Sequence, residues 1–291
     1  MKKLFGLTII TIMIMSIVGC STDNGVEFNS SRTINVITRE DGSGTRGAFT
    51  EIVGILEGGE NGEINDRTYV EAIVQNSTDA VMTSVTGDEY SIGYISLGSL
   101  NENVKAVKID GVEATAENVQ NKSYKISRPF NIAYKGDLNP LAEDFINFIL
   151  STEGQDIVVN AGYVQVGTDL TNYERGKELE GTLVIAGSTS VTPVMEELVQ
   201  AYKEIYPKVT IEIQSTGSSA GMQAAIEGTA DIGMASRELK ESELAELTAQ
   251  AIAMDGIAVI VNNNNPVEDL SLEQIKSIYV GEITEWNEVI E

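Results

Sequence analysis

From residue 33 onward, short runs of β-branched and apolar residues alternate with segments whose apolar positions recur every three to four residues. Strands are predicted over 33–38 (TINVIT), 92–96 (IGYIS), 104–109, 182–186 (TLVIA), 209–213 (VTIEI) and 257–261 (IAVIV). Helices are predicted over 47–57, 138–151, 193–205, 219–227, 239–248 and 271–279. Alternation of this kind predicts α/β layers.

Three of the strand-to-helix turns share one chemistry. Arg39 through Gly47 reads REDGSGTRG, and the helix after it carries Ala48, Phe49, Ile52, Val53 and Leu56 near helical spacing. Gly187 through Pro193 reads GSTSVTP, with Val194, Met195, Leu198, Val199 and Tyr202 as the following apolar stripe. Ser215 through Gly221 reads STGSSAG, between VTIEI and MQAAI. Such a turn presents the free N–H groups of a helix N-terminus, where the macrodipole also favours negative charge. Serine and threonine add hydroxyl donors, and glycine lets the backbone come close to a ligand. One turn of this kind is explained by ordinary helix capping. Three at the carboxyl ends of strands, where open α/β sheets bind ligands, point to an anion site. Neither G-x-x-x-x-G-K-[ST] nor a dinucleotide fingerprint is present, so a small free oxyanion fits better than a nucleotide.

Charge and composition narrow the chemistry. The 291 residues include 19 Lys+Arg against 44 Asp+Glu, a formal net charge of −25, and no histidine. A surface this acidic lacks the basic stripe that nucleic acid requires. Without histidine there is no Ser-His-Asp or Cys-His nucleophile, no His-ligated zinc and no His base. Gly217-Ser218-Ser219-Ala220-Gly221 fits the G-x-S-x-G elbow of hydrolases but has no partner base. The reading is a binding protein without catalysis, metal or cofactor. The net charge is screened beyond about 8 Å at physiological ionic strength, so local donors set the potential inside a cleft.

The N-terminus reads as an export signal. Lys2 and Lys3 precede an apolar run from Leu4 to Val18, then Gly19-Cys20. Ile17-Val18-Gly19-Cys20 resembles the bacterial lipobox, which implies that residues 1–19 are a lipoprotein signal peptide and that Cys20 carries the lipid. As the only cysteine, Cys20 has no internal disulfide partner. Residues 20–32 read as a polar tether, and the protein is expected outside the cytoplasm, anchored to the membrane.

Several segments together resemble one family. GSTSVTPVMEELVQAY, STGSSAGMQAAIEGTADIGMASRELKESE, GEITEWNEV and VITREDGSGTRGAF are similar to segments of the phosphate-binding proteins of bacterial phosphate ABC transporters, as are SIGYISLGSLNENVKAVKIDGVEAT and FINFILSTEGQDIVVNAGYV. The resemblance implies a two-lobed periplasmic-binding-protein-like α/β fold with the ligand cleft between the lobes. It implies a monomer that captures inorganic phosphate and delivers it to an ABC permease. Another oxyanion, such as sulfate or molybdate, or a non-transporting surface sensor or adhesin on the same fold, is the alternative.

In that family the AGSTSVTP segment comes first and the Arg…Ser-Gly-Thr segment later; here the order is reversed. A circular permutation is the reading, with the usual termini joined near 165–182 and a new break between Val289 and Thr33. A chain cut short at Glu291 is the alternative. One lobe would then comprise 33–128 plus 257–291 and the other 129–256, hinged near Arg128–Ile132 and Asp255–Val261. Carried over by resemblance, the phosphate ligands are Arg39, Ser43, Gly44, Thr45, Thr189, Ser190 and Ser218, with Asp41 expected to hold Arg39. Arg46 receives no role. Arg237 stands where the family has an aspartate that accepts the proton of hydrogen phosphate, and it joins the candidate ligands. Asp41, Asp255 or another carboxylate would then have to act as the acceptor that rejects sulfate. The aromatics Tyr69, Tyr90, Tyr94, Tyr163 and Trp286 are read as core, and Glu238, Glu241, Glu243 and Glu246 as a solvated face.

Overall fold

The computed structural model describes residues 28–58 and 64–290. The expected signal peptide, Cys20 and the first part of the expected tether lie outside the described residues. Among the described residues no helix is long and apolar enough to cross a membrane.

Strand β1 (Asn35–Arg39) runs into helix α1 (Gly44–Val53), followed by the antiparallel pair β2 (Leu56–Gly58) and β3 (Ile64–Asp66). Next come β4 (Ile73–Gln75), α2 (Thr78–Gly87), β5 (Ser91–Ser96), β6 (Val104–Ala106), β7 (Lys108–Ile109) and α3 (Ala116–Gln120). Strand β8 (Ser127–Tyr134) then leads to α4 (Pro140–Ile149) and α5 (Thr152–Asn160). After them lie β9 (Gly181–Gly187), α6 (Thr192–Ile205), β10 (Val209–Ser215), α7 (Ser218–Glu227), β11 (Ile232–Ala235) and α8 (Glu241–Leu244). The long strand β12 (Thr248–Asn262), β13 (Asp269–Leu270) and α9 (Leu272–Tyr279) complete the order. Local chemistry places the boundaries. Asn139 accepts the Leu141 and Ala142 amides at the start of α4, Ser271 and Gln274 form a capping box on α9, and Gly54 ends α1 at φ 78°.

Nine strands share one sheet, in the order β10-β9-β11-β8-β12-β5-β1-β4, with β6 on β12. Two apolar cores lie along it. The first draws on residues between Phe130 and Ala253, with a satellite cluster of Met222 and Ala225 of α7 on β8 and β11. The second draws on Ile34 to Ile126 and Ile257 to Trp286, with a satellite cluster of Val81 and Val85 of α2 on β1, β5 and β12. Strands β8 and β12 run from one to the other as an antiparallel pair, with Asp255 opposite Arg128 in register. Tyr94, Tyr163 and Trp286 are fully inside these cores. The two ends of the described chain lie together: Thr33 bridges Glu285, and Trp286 N–H donates to Arg32 O at 3.2 Å.

The segment 239–248 departs from expectation. Only Glu241–Leu244 is helical, because from Thr248 the backbone pairs with β8, Thr248 opposite Tyr134. Glu243 is not on a solvated face either; it is buried against Arg237. Tertiary strand pairing overrides a helix-favouring composition here.

Candidate functional site

Two pairs of parallel strands, β1 with β4 and β9 with β10, run in opposite senses along the sheet, and each strand feeds a helix through a short turn: β1 into α1, β4 into α2, β9 into α6 and β10 into α7. The N-termini of these helices converge. Ser43 Oγ caps α1 by accepting the Arg46 amide (3.3 Å), and Ser77 Oγ caps α2 by accepting that of Ala80 (3.1 Å). Helices α6 and α7 begin with no side-chain cap. The amides of Gly44, Thr45, Thr189 and Ser218 have no protein acceptor among the described residues. Gly217 begins α7 at φ 92°, a conformation that side chains resist. A Cβ on Gly44 would sit 2.5 Å from Ser218 Oγ and 2.8 Å from Ser236 Oγ, so only glycine lets these two turns approach.

A chain of buried hydroxyls joins the turns. Thr45 Oγ1 lies 2.9 Å from Ser190 Oγ and 3.5 Å from Ser236 Oγ. Thr78 Oγ1 lies 3.1 Å from Ser190 Oγ and 3.4 Å from Thr189 Oγ1, and Ser218 Oγ lies 3.4 Å from Ser236 Oγ. Arg39 closes the cluster from the end of β1. Its Nη2 donates to Thr189 Oγ1 at 3.2 Å, while Nε and Nη2 donate to Glu40 Oε2 and Oε1 at 2.8 and 2.9 Å. The Arg39 amide donates to Tyr94 Oη, and Tyr94 is stacked on Phe49 at 4.0 Å, so the base of the arginine is held by the second core. Burial pushes the Tyr94 phenol up, which keeps it neutral. Arg39, Thr45 and Thr78 belong to elements of the second core and its satellite; Thr189, Ser190, Ser218 and Ser236 belong to elements of the first and its satellite. The site therefore lies between the two. Its groups are one guanidinium, hydroxyls and helix-start amides, a set that solvates an anion. Among the described residues no group of three or more His, Cys, Asp or Glu is placed to hold a metal ion.

Of the residues singled out in the sequence, Arg39, Gly44, Thr45, Thr189, Ser190 and Ser218 come together here. Ser43 is buried beside them with its oxygen committed to the α1 cap. Two assignments need correction. Asp41 does not hold Arg39: the turn closed by Ser43 N–H to Glu40 O swings Asp41 outward, 95% exposed, where it pairs with Arg46. Arg46 also reaches Asp66 at 2.8 Å, and Glu40 is the residue that grips Arg39. Arg237 is not offered to the cluster. Nη1 donates to Glu243 Oε2 and Glu238 O, and Nη2 to Glu243 Oε1 and Ser219 Oγ. Burial alone would raise the Glu243 carboxyl, but the bonds from Arg237 and the Lys240 amide hold it below the usual carboxylate range. Nor does Asp255 serve as acceptor, since it is sealed at 0% side-chain exposure against Arg128 and Ser96.

Thr78 and Ser236 were missed. The signal for Thr78 was Asn-Ser-Thr-Asp before an apolar stripe, a capping sequence like the other three but following a strand of only three residues. Ser236 follows the last residue of β11, one position before Arg237.

Comparison with known proteins agrees with this geometry. Residues 23–153 and 173–290 match the family described as PBP superfamily domain. The chain is 46% identical over 289 residues, 99% of each chain, to Phosphate-binding protein PstS 2 of Streptococcus pneumoniae serotype 4. It is 49% identical over 273 residues to the protein of that name from Streptococcus agalactiae serotype V, covering 93% of this chain and 92% of the other. A crystal structure of a phosphate ABC transporter phosphate-binding protein from Streptococcus pneumoniae superposes with a TM-score of 0.71 at 48% identity, covering 89% of this chain and all of that one. The chain belongs to the PBP superfamily and, within it, to the phosphate-binding proteins of bacterial phosphate ABC transporters.

Proposed function

We propose that the protein captures inorganic phosphate between its two cores and delivers it to an ABC permease, with Arg39, Gly44, Thr45, Thr78, Thr189, Ser190, Ser218 and Ser236 surrounding the ion. The observation that carries this reading is the meeting of four helix N-termini and one buried arginine at a single point. Residues 33–128 with 257–291 act as one lobe and 129–256 as the other; they part about the β8–β12 crossing to admit the ion and close on it. Glu40 replaces Asp41 as the residue that orients Arg39. Its carboxylate is bonded to Arg39 yet still 28% exposed, so a remaining lone pair supplies the acceptor for a protonated oxyanion and repels sulfate, which has no proton to give. Lipid attachment at Cys20 keeps the protein at the outer face of the membrane. The protein binds and releases; it does not catalyse.

The segment order is read as a circular permutation. Adjacent ends support it: Asn287 N–H donates to Ser30 O at 2.7 Å, so a short linker can join the ends. A variant closed there and opened between 165 and 181 should fold and bind phosphate; failure to fold would favour a different history for the order.

Calorimetric titration of the mature protein tests the ligand. Phosphate should bind with micromolar or tighter affinity, sulfate far more weakly, and Glu40→Gln should narrow the gap. Heat with sulfate or molybdate but none with phosphate would reassign the ligand within the same class.

A further inference from the structure

The surface holds an apolar patch with a fixed shape. Six large apolar side chains are exposed among the described residues, and four of them, Ile64, Val70, Ile73 and Val74, fall within eleven positions of one another. Val70 is 94% exposed and Val74 61%, while the remaining two, Val159 and Leu244, stand singly on α5 and α8. The segment is not loosely attached. Arg67 N–H donates to Ile55 O at 3.2 Å, Tyr69 N–H to Tyr279 O at 2.7 Å and Ala72 N–H to Tyr69 O at 3.0 Å, and the Tyr69 ring lies against Gly281. A built turn thus pins Val70 outward, and β4 follows at the end of the sheet. It pairs with β1 alone, leaving its outer edge bare among the described residues. Soluble proteins normally protect such an edge with charge or proline, and here it reads Ile-Val-Gln.

We propose that the β4 edge with Val70, Ile73 and Val74 is the docking surface for the membrane subunit of the transporter, which presents an extended apolar segment with basic flanks. Two observations choose this occupant. First, β4 leads directly to the mouth of the anion site. Its next residues, Asn76 to Asp79, line a cavity of about 450 Å³ with Thr189, Thr192 and Glu196 of the other core. Thr78 lies five positions after Ile73, at most about 17 Å of chain. A partner on this edge therefore sits beside the opening through which phosphate must leave. Second, charge excludes a copy of this chain. Glu57, Asp66 and Glu71 lie on the same stretch of chain. Arg67 pairs with Glu57 and Arg46 with Asp66, while Glu71 meets no cation among the described residues. The whole chain carries −25, so a second copy or an anionic lipid surface is repelled while a basic segment is drawn in. Strand addition supplies backbone hydrogen bonds along the edge, and the apolar side chains supply the anchor. The inference rests on the transport reading above.

The test separates the two. Val70→Asp, Val74→Asp and, as a control on a distant lone apolar residue, Val159→Asp are compared with wild type for phosphate affinity by calorimetry. The same proteins are compared for phosphate uptake into vesicles holding the reconstituted permease and its ATPase. Val70 and Val74 are solvent-exposed, so folding and phosphate affinity should stay within about twofold of wild type. Uptake should fall about tenfold or more in both patch variants and stay unchanged in Val159→Asp. Normal uptake by the patch variants would overturn the docking surface while leaving phosphate binding intact. A concentration-dependent dimer of the wild type that the patch substitutions abolish would also overturn it, in favour of self-association. Absence of phosphate binding by the wild type would instead sink the transport reading itself, independently of the patch.

Discussion

Arg39 and Arg128 are buried to the same extent, 2% exposed, and each meets a carboxylate, yet the two are built for opposite purposes. Arg39 stands at the end of a strand, paired with a sequence neighbour, Glu40, whose side chain is still 28% exposed. Around it are hydroxyls and helix starts contributed by both cores. Arg128 lies inside paired strands and donates through Nε and Nη2 to Asp255 directly opposite, with Ser96 on the other carboxylate oxygen. That pair is sealed, at 1% and 0% side-chain exposure. Burial pushes Asp255 up to about 6 despite the guanidinium, and the same burial pulls Arg128 down. One arginine thus keeps company that an incoming anion can share. The other is neutralised from within and ties together the two strands that connect the cores.

Removing each guanidinium should therefore produce different losses. Arg39→Ala is expected to weaken phosphate binding about 100-fold or more, the loss of charge-assisted hydrogen bonds, with little change in stability. Arg128→Ala leaves Asp255 buried and unpaired, and should lower unfolding free energy by about 3–5 kcal/mol in urea denaturation. If Arg128→Ala weakens binding as much as Arg39→Ala while stability holds, the contrast fails. Next in size are the hydroxyls. Thr45→Val, Ser190→Ala and Thr78→Val should each cost about 1–2 kcal/mol of phosphate affinity by calorimetry, and Thr78→Ser almost none.

Proton linkage sharpens the comparison further. Asp255 has a folded value near 6, above its unfolded value, so its stabilising contribution is complete below about pH 4 and is lost as pH rises through about 6. The stability of wild type relative to Asp255→Asn should therefore decline between pH 4 and pH 7, as read from urea midpoints at each pH. Smallest of all, Arg237→Ala and Asp41→Asn should leave phosphate affinity within about twofold, because neither side chain is offered to the cluster.

The three anion-cradling turns were legible because Ser, Thr and Gly crowd between an apolar run and an amphipathic stripe, and helix-start physics needs little more. The fourth turn was not, since β4 is only three residues long and both Ile73 and Val74 are exposed, leaving no periodicity to read. The choice between Glu40 and Asp41 for Arg39 depends on which way one turn swings its side chains, and adjacent acids give no clue to that. Arg237 was a candidate because it stands where the family has an aspartate; its partner Glu243 lies on a short helix whose acidic composition reads as a solvated face. Strand β8 went unrecognised with Pro129 near its start, and the first half of β12, TAQAIAMDG, has the composition of a helix or loop until β8 pairs with it.

The central claim is that one ion is held by the turns of both cores at once. A crystal structure with phosphate tests it most directly. The account predicts phosphate oxygens within hydrogen-bonding distance of Arg39, the Gly44–Thr45 amides, Thr189 or Ser190, and Ser218, with Arg237 still on Glu243 and Glu40 still on Arg39. Phosphate bound to groups from one core alone, or held by Arg237 after release from Glu243, would contradict it.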